Sequence, residues 1–224
     1  MAARIPPVAA PYPSEVAPVL RRMMPAGEEP LALFRTYARN ARLTEALHAW
    51  GSYQLSRHLS LGVRDREIVI DRTCALCGCA YAWSVHLARF APRAGLTATQ
   101  TASLTHGTSA DSCWTADRDR LLIEATDALH THHDIDDALW ERLAAEFRHE
   151  QLLDLLMLCG WYHAFSFTAR ATSLPLEPGA PRFLDIAPRP ARQHEPHLTR
   201  RHTAPTTRDD GIPPDACRPC RWPP

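Results

Sequence analysis

Glu67, Cys79 and His86 are the residues of this sequence whose types and spacing best suit chemistry. They fall in one short run, Arg66-Glu67-Ile68-Val69-Ile70-Asp71-Arg72-Thr73-Cys74-Ala75-Leu76-Cys77-Gly78-Cys79-Ala80-Tyr81-Ala82-Trp83-Ser84-Val85-His86. A cysteine at the start of a helix meets free backbone N–H groups and the positive end of the helix dipole, which favour its thiolate. A thiolate attacking a peroxide O–O bond becomes a sulfenic acid that a second thiol must resolve. A carboxylate and an imidazole nearby can relay the proton. Cys79 and His86 are two helical turns apart on one face, roughly 10 Å along the axis, so a water or a third group has to connect them. Glu67 belongs to the preceding helix and approaches only if the chain bends near Gly78. The plain alternative for Cys79 is a small buried core residue, a common fate of free cysteine.

Two further thiols, Cys74 and Cys77, form a Cys-x-x-Cys of their own beside Cys79. Either is a candidate resolving thiol if the bend brings two sulfurs to bonding distance; otherwise both are small apolar fillers. Cys74, Cys77, Cys79 and His86 also have the donor types of a zinc site. A continuous helix, however, puts Cys74 and Cys79 on different faces, so no metal and no cofactor is expected. His163, on an otherwise apolar stretch, reads as a satisfied core or interface histidine that can also face the reactive cavity. His130, His132 and His133 suit the negative end of a helix dipole and are expected in solvent. Cys217 and Cys220 form a third pair in the C-terminal tail, with no second pair to complete a zinc site.

The elements that must position these groups are helical throughout, and the fold is expected to be an all-α helical bundle. Leu31, Phe34, Tyr37 and Ala38, then Leu43, Leu47 and Trp50, recur at three- and four-residue spacing. A helix is expected from Val63 to Cys77, weakened at Gly78, and another from Cys79 to Phe90, ended by Pro92 and Gly95. Further helices fit 97–104, 116–129, 136–147 and 150–171, the last apolar enough for the core or an oligomer interface. No segment alternates with the two-residue period of a hairpin strand.

Composition bounds the rest. The 224 residues carry 25 basic and 25 acidic groups, and every basic one is arginine. Zero net charge argues against nucleic acid or an anionic membrane as main partner. No apolar run in the sequence approaches a membrane span. Prolines at 6, 7, 11 and 13 break the apolar core that a secretory signal needs. A cytoplasmic, reducing setting is therefore expected, in which the seven cysteines are free, catalytic or metal-binding rather than a disulfide framework. Three regions follow: a proline-rich segment 1–14, one domain over 15–187, and a tail 188–224. Nine of the 20 prolines lie in that tail, which has too little apolar surface to offset its ordering entropy and is expected to be disordered.

The Arg66-Glu67-Ile68-Val69-Ile70 start, Arg72, Gly78-Cys79-Ala80-Tyr81 and His86 resemble the signature of the carboxymuconolactone decarboxylase and alkylhydroperoxidase D-like family. Pro30 to Arg35, Ala94 to Thr97, Asp117-Arg118 and Leu152 to His163 resemble its flanking segments, so the likeness spans roughly residues 15–185. In the family's peroxidase branch a Glu is followed by Cys-x-x-Cys and a His. Those positions fall on Glu67, Cys79 and His86, but the second cysteine falls on Ala82. The resemblance implies a thiol-dependent peroxidase using Cys79 with a Glu67/His86 relay, a hydroperoxide substrate, a thiol reductant, and a trimer or hexamer. Ala82 removes the standard dithiol cycle. The decarboxylase branch implies instead a cofactor-free lyase or isomerase on a small lactone or carboxylate, with Trp83 lining the pocket and Tyr81 beside it. A catalytically silent oligomeric protein of the same fold is the third expectation.

Overall fold

A computed structural model describes residues 2–183. The expected disorder of the tail and the role of Cys217 and Cys220 lie outside the described residues. Among those described, all regular structure is helical: α1 (Ala17–Arg22), α2 (Ala32–Tyr37), α3 (Ala41–Gln54), α4 (Val63–Leu76), α5 (Ala80–Ala94), α6 (Ala98–His106), α7 (Asp117–His132), α8 (Asp137–Glu146) and α9 (His149–Ala171).

Local chemistry explains most of the boundaries. Asn40 and Asp136 cap α3 and α8 by accepting the N–H of Leu43 and Leu139. Thr97 and Gln100 form a reciprocal capping box on α6. α5 runs past the expected end at Phe90 and through Pro92 to Ala94, and stops at Gly95, φ +64°, one of the two residues expected to end it. The short α1 was not anticipated. It makes no side-chain N-cap hydrogen bond and is held by burial of Val19 and Leu20.

α4 is the axis around which the bundle is built. It packs against α5, α6, α7 and α9, and every residue from Asp65 to Cys74 is buried. A helix buried all round must find partners for its polar side chains. Asp65 pairs with Arg118 at 2.7 Å, and Arg66 with Glu67 at 2.7 Å. Arg72 pairs with Asp127 at 2.6 Å and donates to the carbonyls of Leu104 and Gly107, closing the end of α6. Asp71 is the exception, with neither carboxyl oxygen hydrogen-bonded.

α9 is long and apolar enough to cross a bilayer by length and composition, which the sequence was not expected to contain. Its Leu155, Leu158, Tyr162 and Ala169 are buried in this fold. Its Asp154 accepts hydrogen bonds from Tyr53 and from the backbone and hydroxyl of Ser60. Leu153, Met157 and Phe167 are exposed on α9. The proline-rich start is docked: the N–H groups of Arg4 and Val8 bond to the carbonyls of Thr172 and Arg35.

Candidate functional site

The turn between α4 and α5 decides where Cys79 sits. Gly78 adopts φ +62°, a left-handed conformation that costs glycine little. The N–H of Gly78 bonds to Ala75 and that of Cys79 to Cys74, the paired closure of a Schellman turn. α5 begins at once, with Cys79 as its N-cap residue and no side-chain cap bond. The bend expected at Gly78 is therefore present, and it folds α5 back beside α4.

That reversal brings Glu67 and His86 together. His86 Nδ1 lies 2.8 Å from Glu67 Oε2, both groups buried. Tyr162 on α9 completes the line, its hydroxyl 2.8 Å from His86 Nε2. Burial first, and the Glu67 carboxylate second, push the Tyr162 phenol well above its ordinary value. It stays protonated and donates to Nε2, so Nδ1 carries the imidazole proton and donates to Glu67. The second oxygen of Glu67 accepts from Arg66 Nε at 2.7 Å. The result is a continuous chain from guanidinium through carboxylate and imidazole to phenol. Phe90 packs on His86 at 5.2 Å, with the Arg66 guanidinium 5.0 Å from its ring centre.

His86 and Tyr162 open into a cavity of about 550 Å³ whose walls include Leu31, Phe34, Leu47 and Phe165. Gln54 also lines it. Its amide is 1% exposed, and neither its nitrogen nor its oxygen is hydrogen-bonded. Arg22, Arg89 and Arg93 also line the cavity; Arg22 and Arg89 pair with Glu45 and Glu28.

Cys79 is placed differently. It is 1% exposed, does not line the cavity, and makes no side-chain hydrogen bond to Glu67 or His86 among the described residues. Its surroundings are Cys74, Cys77 and the Tyr37 phenol, each raised in pKa in part by proximity to it. Burial is the largest cause in each case, and it pushes the Cys74 and Cys77 thiols up.

Trp83 is fully buried against Phe183 and outside the cavity lining. Tyr81 accepts the Leu33 N–H and donates to Glu177, again away from the cavity. His163 does not reach the cavity either. It meets His130, whose expected place in solvent is corrected: His130 is half-buried, with Nδ1 3.0 Å from His163 Nε2. Cys77 joins these two, so the zinc-type donor set is Cys77, His130 and His163 rather than four residues of one segment.

Tyr162, Gln54 and Asp71 were not singled out in the sequence. The periodicity of α9 carries a signal for Tyr162, since Leu155, Leu158 and Cys159 precede it on the same buried stripe. A phenol there needs a partner.

Residues 41–127 match the family model of the carboxymuconolactone decarboxylase family. That span includes Glu67, Cys79 and His86 and excludes Tyr162. No curated protein matches the sequence. Among solved structures, the fold is similar to an uncharacterized peroxidase-related protein from Silicibacter sp. TM1040. The TM-score is 0.66 at 17% identity, covering 81% of this chain and 97% of that one. It is also similar to a cysteine-to-alanine variant of the debrominase Bmp8 in complex with 2,3,4-tribromopyrrole. That comparison gives TM-score 0.61, 14% identity, and coverage of 80% and 94%. Apo Bmp8 gives TM-score 0.58 at 16% identity, with 78% and 92% covered.

Proposed function

We propose that this chain, whose residues 41–127 match the carboxymuconolactone decarboxylase family model, is an enzyme working through Glu67, His86 and Tyr162 on a small, mainly apolar lactone or carboxylate. The observation that carries this is the hydrogen-bonded line from Glu67 through His86 to Tyr162, ending at an apolar cavity. The Tyr162 oxygen takes a proton from substrate carbon or oxygen as its own proton passes to His86 Nε2, and Glu67 behind the imidazole stabilises the imidazolium that forms. The Tyr162 hydroxyl, now carrying the substrate's proton, delivers it to the product anion as His86 Nε2 returns its proton to Tyr162. Gln54 supplies an amide with no partner of its own to a substrate carbonyl, and Arg93 supports a carboxylate at the cavity wall. The chemistry is that of a cofactor-free lyase or isomerase.

The test is proton exchange in D2O with a small γ-lactone carboxylate, followed by NMR. Exchange beside the carbonyl should fall roughly a hundredfold or more in His86→Asn and persist in Cys79→Ser. Unchanged exchange in His86→Asn would sink the reading.

A second reading, thiol-dependent peroxidase, is supported by the grouping of Cys74, Cys77 and Cys79 around one turn. The Cys79 thiolate would attack the distal peroxide oxygen, releasing an alkoxide that takes a proton by way of His86 and leaving Cys79 as sulfenic acid. A small-thiol reductant would then return it to the thiol. Sub-stoichiometric cumene hydroperoxide followed by mass mapping of Cys79 tests this directly. A Cys79 left unoxidised after the hydroperoxide is consumed would remove it.

A further inference from the structure

We propose that Cys77, His130 and His163 bind a zinc ion, at a site separate from the cavity and from the Glu67–His86–Tyr162 line. Three helices supply the ligands: Cys77 is the C-cap residue of α4, His130 lies near the end of α7, and His163 sits in the middle of α9. The Cys77 Sγ and one nitrogen of each histidine all lie within 4.8 Å of one another. The two imidazole nitrogens are already 3.0 Å apart. A tetrahedral zinc with Zn–N of about 2.0–2.1 Å and Zn–S of about 2.3 Å has N–N edges of about 3.3 Å and S–N edges of about 3.5 Å. The nitrogens thus stand at nearly the required spacing, and the sulfur closes with a small side-chain movement.

Orientation adds an independent argument. His163 Nδ1 lies 2.8 Å from the Cys159 carbonyl, and a carbonyl only accepts, so Nδ1 carries the proton and Nε2 presents its lone pair. A backbone carbonyl fixing the tautomer of a ligating histidine is the usual second-layer arrangement at metal sites. That lone pair points at His130 Nδ1, which donates to it in the metal-free protein. On binding, His130 changes tautomer and coordinates through Nδ1, with its proton relocated to Nε2, and Cys77 enters as thiolate. The net change is one proton released, from Cys77. One sulfur and two imidazoles suit zinc, and three protein ligands leave a fourth position for water. Cys159 contributes its carbonyl and not its sulfur. The ion would tie the end of α4, two residues before Cys79, to α7 and α9. It would also remove Cys77 from any redox cycle.

The experiment uses the full chain carrying Cys217→Ser and Cys220→Ser, so that the tail thiols do not bind metal. After chelation and reconstitution with zinc chloride, one zinc per chain should remain through gel filtration, and the melting temperature should rise. Cobalt in place of zinc should give a thiolate charge-transfer band that Cys77→Ser abolishes. His130→Ala and His163→Ala should each weaken zinc binding tenfold or more, while Cys159→Ala keeps it. Circular dichroism confirms that each variant is folded, and His130→Ala, at a half-buried position, is the variant least dependent on core packing. A reconstituted protein without stoichiometric zinc, a cobalt complex without the thiolate band, or wild-type affinity in His130→Ala would overturn the assignment. Zinc loss in Cys159→Ala would overturn the three-ligand set. All these readouts are independent of turnover, so the outcome stands whether or not Glu67, His86 and Tyr162 prove catalytic.

Discussion

The two ends of α4 carry polar clusters of opposite character. Near its start, Arg66, Glu67, His86 and Tyr162 form one hydrogen-bonded line, from the Arg66 Nε–H through carboxylate and imidazole to the phenol. Near its end, Cys77, His130 and His163 bring sulfur and nitrogen together with a single imidazole–imidazole bond among them. The first arrangement stabilises charge where it already exists. The second is poised to take up charge from outside. One buried helix can hold both because its first half is wrapped by paired charges, whereas its last turn meets the less buried faces of α7 and α9.

The comparison breaks most visibly at Glu67. Glu67→Ala leaves the Arg66 guanidinium buried without its carboxylate, and unfolding in urea should show a loss of about 3–5 kcal/mol. A loss below 1 kcal/mol would mean that water reaches Arg66 and the line is not closed.

Asp71, between the two clusters, sharpens it. Burial first and the Glu67 charge second hold its carboxyl well above the ordinary range. The folded state therefore keeps a proton that the unfolded chain releases near pH 4. Its contribution to stability is intact below that pH and declines as pH rises toward the folded value. Asp71→Asn removes this decline and should stabilise the protein at pH 7 by on the order of 1–2 kcal/mol, with little change at pH 3.5. Equal melting temperatures for variant and parent at both pH values would contradict a neutral, buried Asp71.

Tyr162→Phe deletes one hydrogen bond and should cost about 1 kcal/mol. Nitrogen NMR of His86 should then show loss of the single Nδ1–H tautomer, whereas an unchanged spectrum would place the tautomer under Glu67 alone. The smallest effect belongs to the other cluster. Without metal, His130→Ala should change stability by no more than about 0.5 kcal/mol, and a larger loss would show that the histidine pair is already structural.

Much of this was legible along the chain. Helices α2 to α9 follow from apolar spacing, and three of them begin at a side-chain cap or capping box in the sequence, at Asn40, Thr97 and Asp136. α1 was hidden because its six residues hold fewer than two turns and no side-chain cap marks them. Pro92 shifts the end of α5 rather than setting it: two residues before the last it forfeits one backbone hydrogen bond, and Gly95 in the left-handed region makes the stop.

The sequence by itself determined that Glu67 and His86 lie on consecutive helices joined at Gly78. A turn needing φ above zero at one glycine is a local matter, settled within a few residues. It also placed the start of α5 near Cys79 and left Ala82 as a position without sulfur. Only the tertiary structure decided that Tyr162, 76 residues away from His86, closes the line. It alone left Cys79 buried and out of the cavity wall, and brought His130 and His163 together with Cys77. The physical reason is that periodicity tells which face of a helix is buried. Which buried faces meet, and at what rotation, depends on how all the side chains of α4, α5, α7 and α9 pack together.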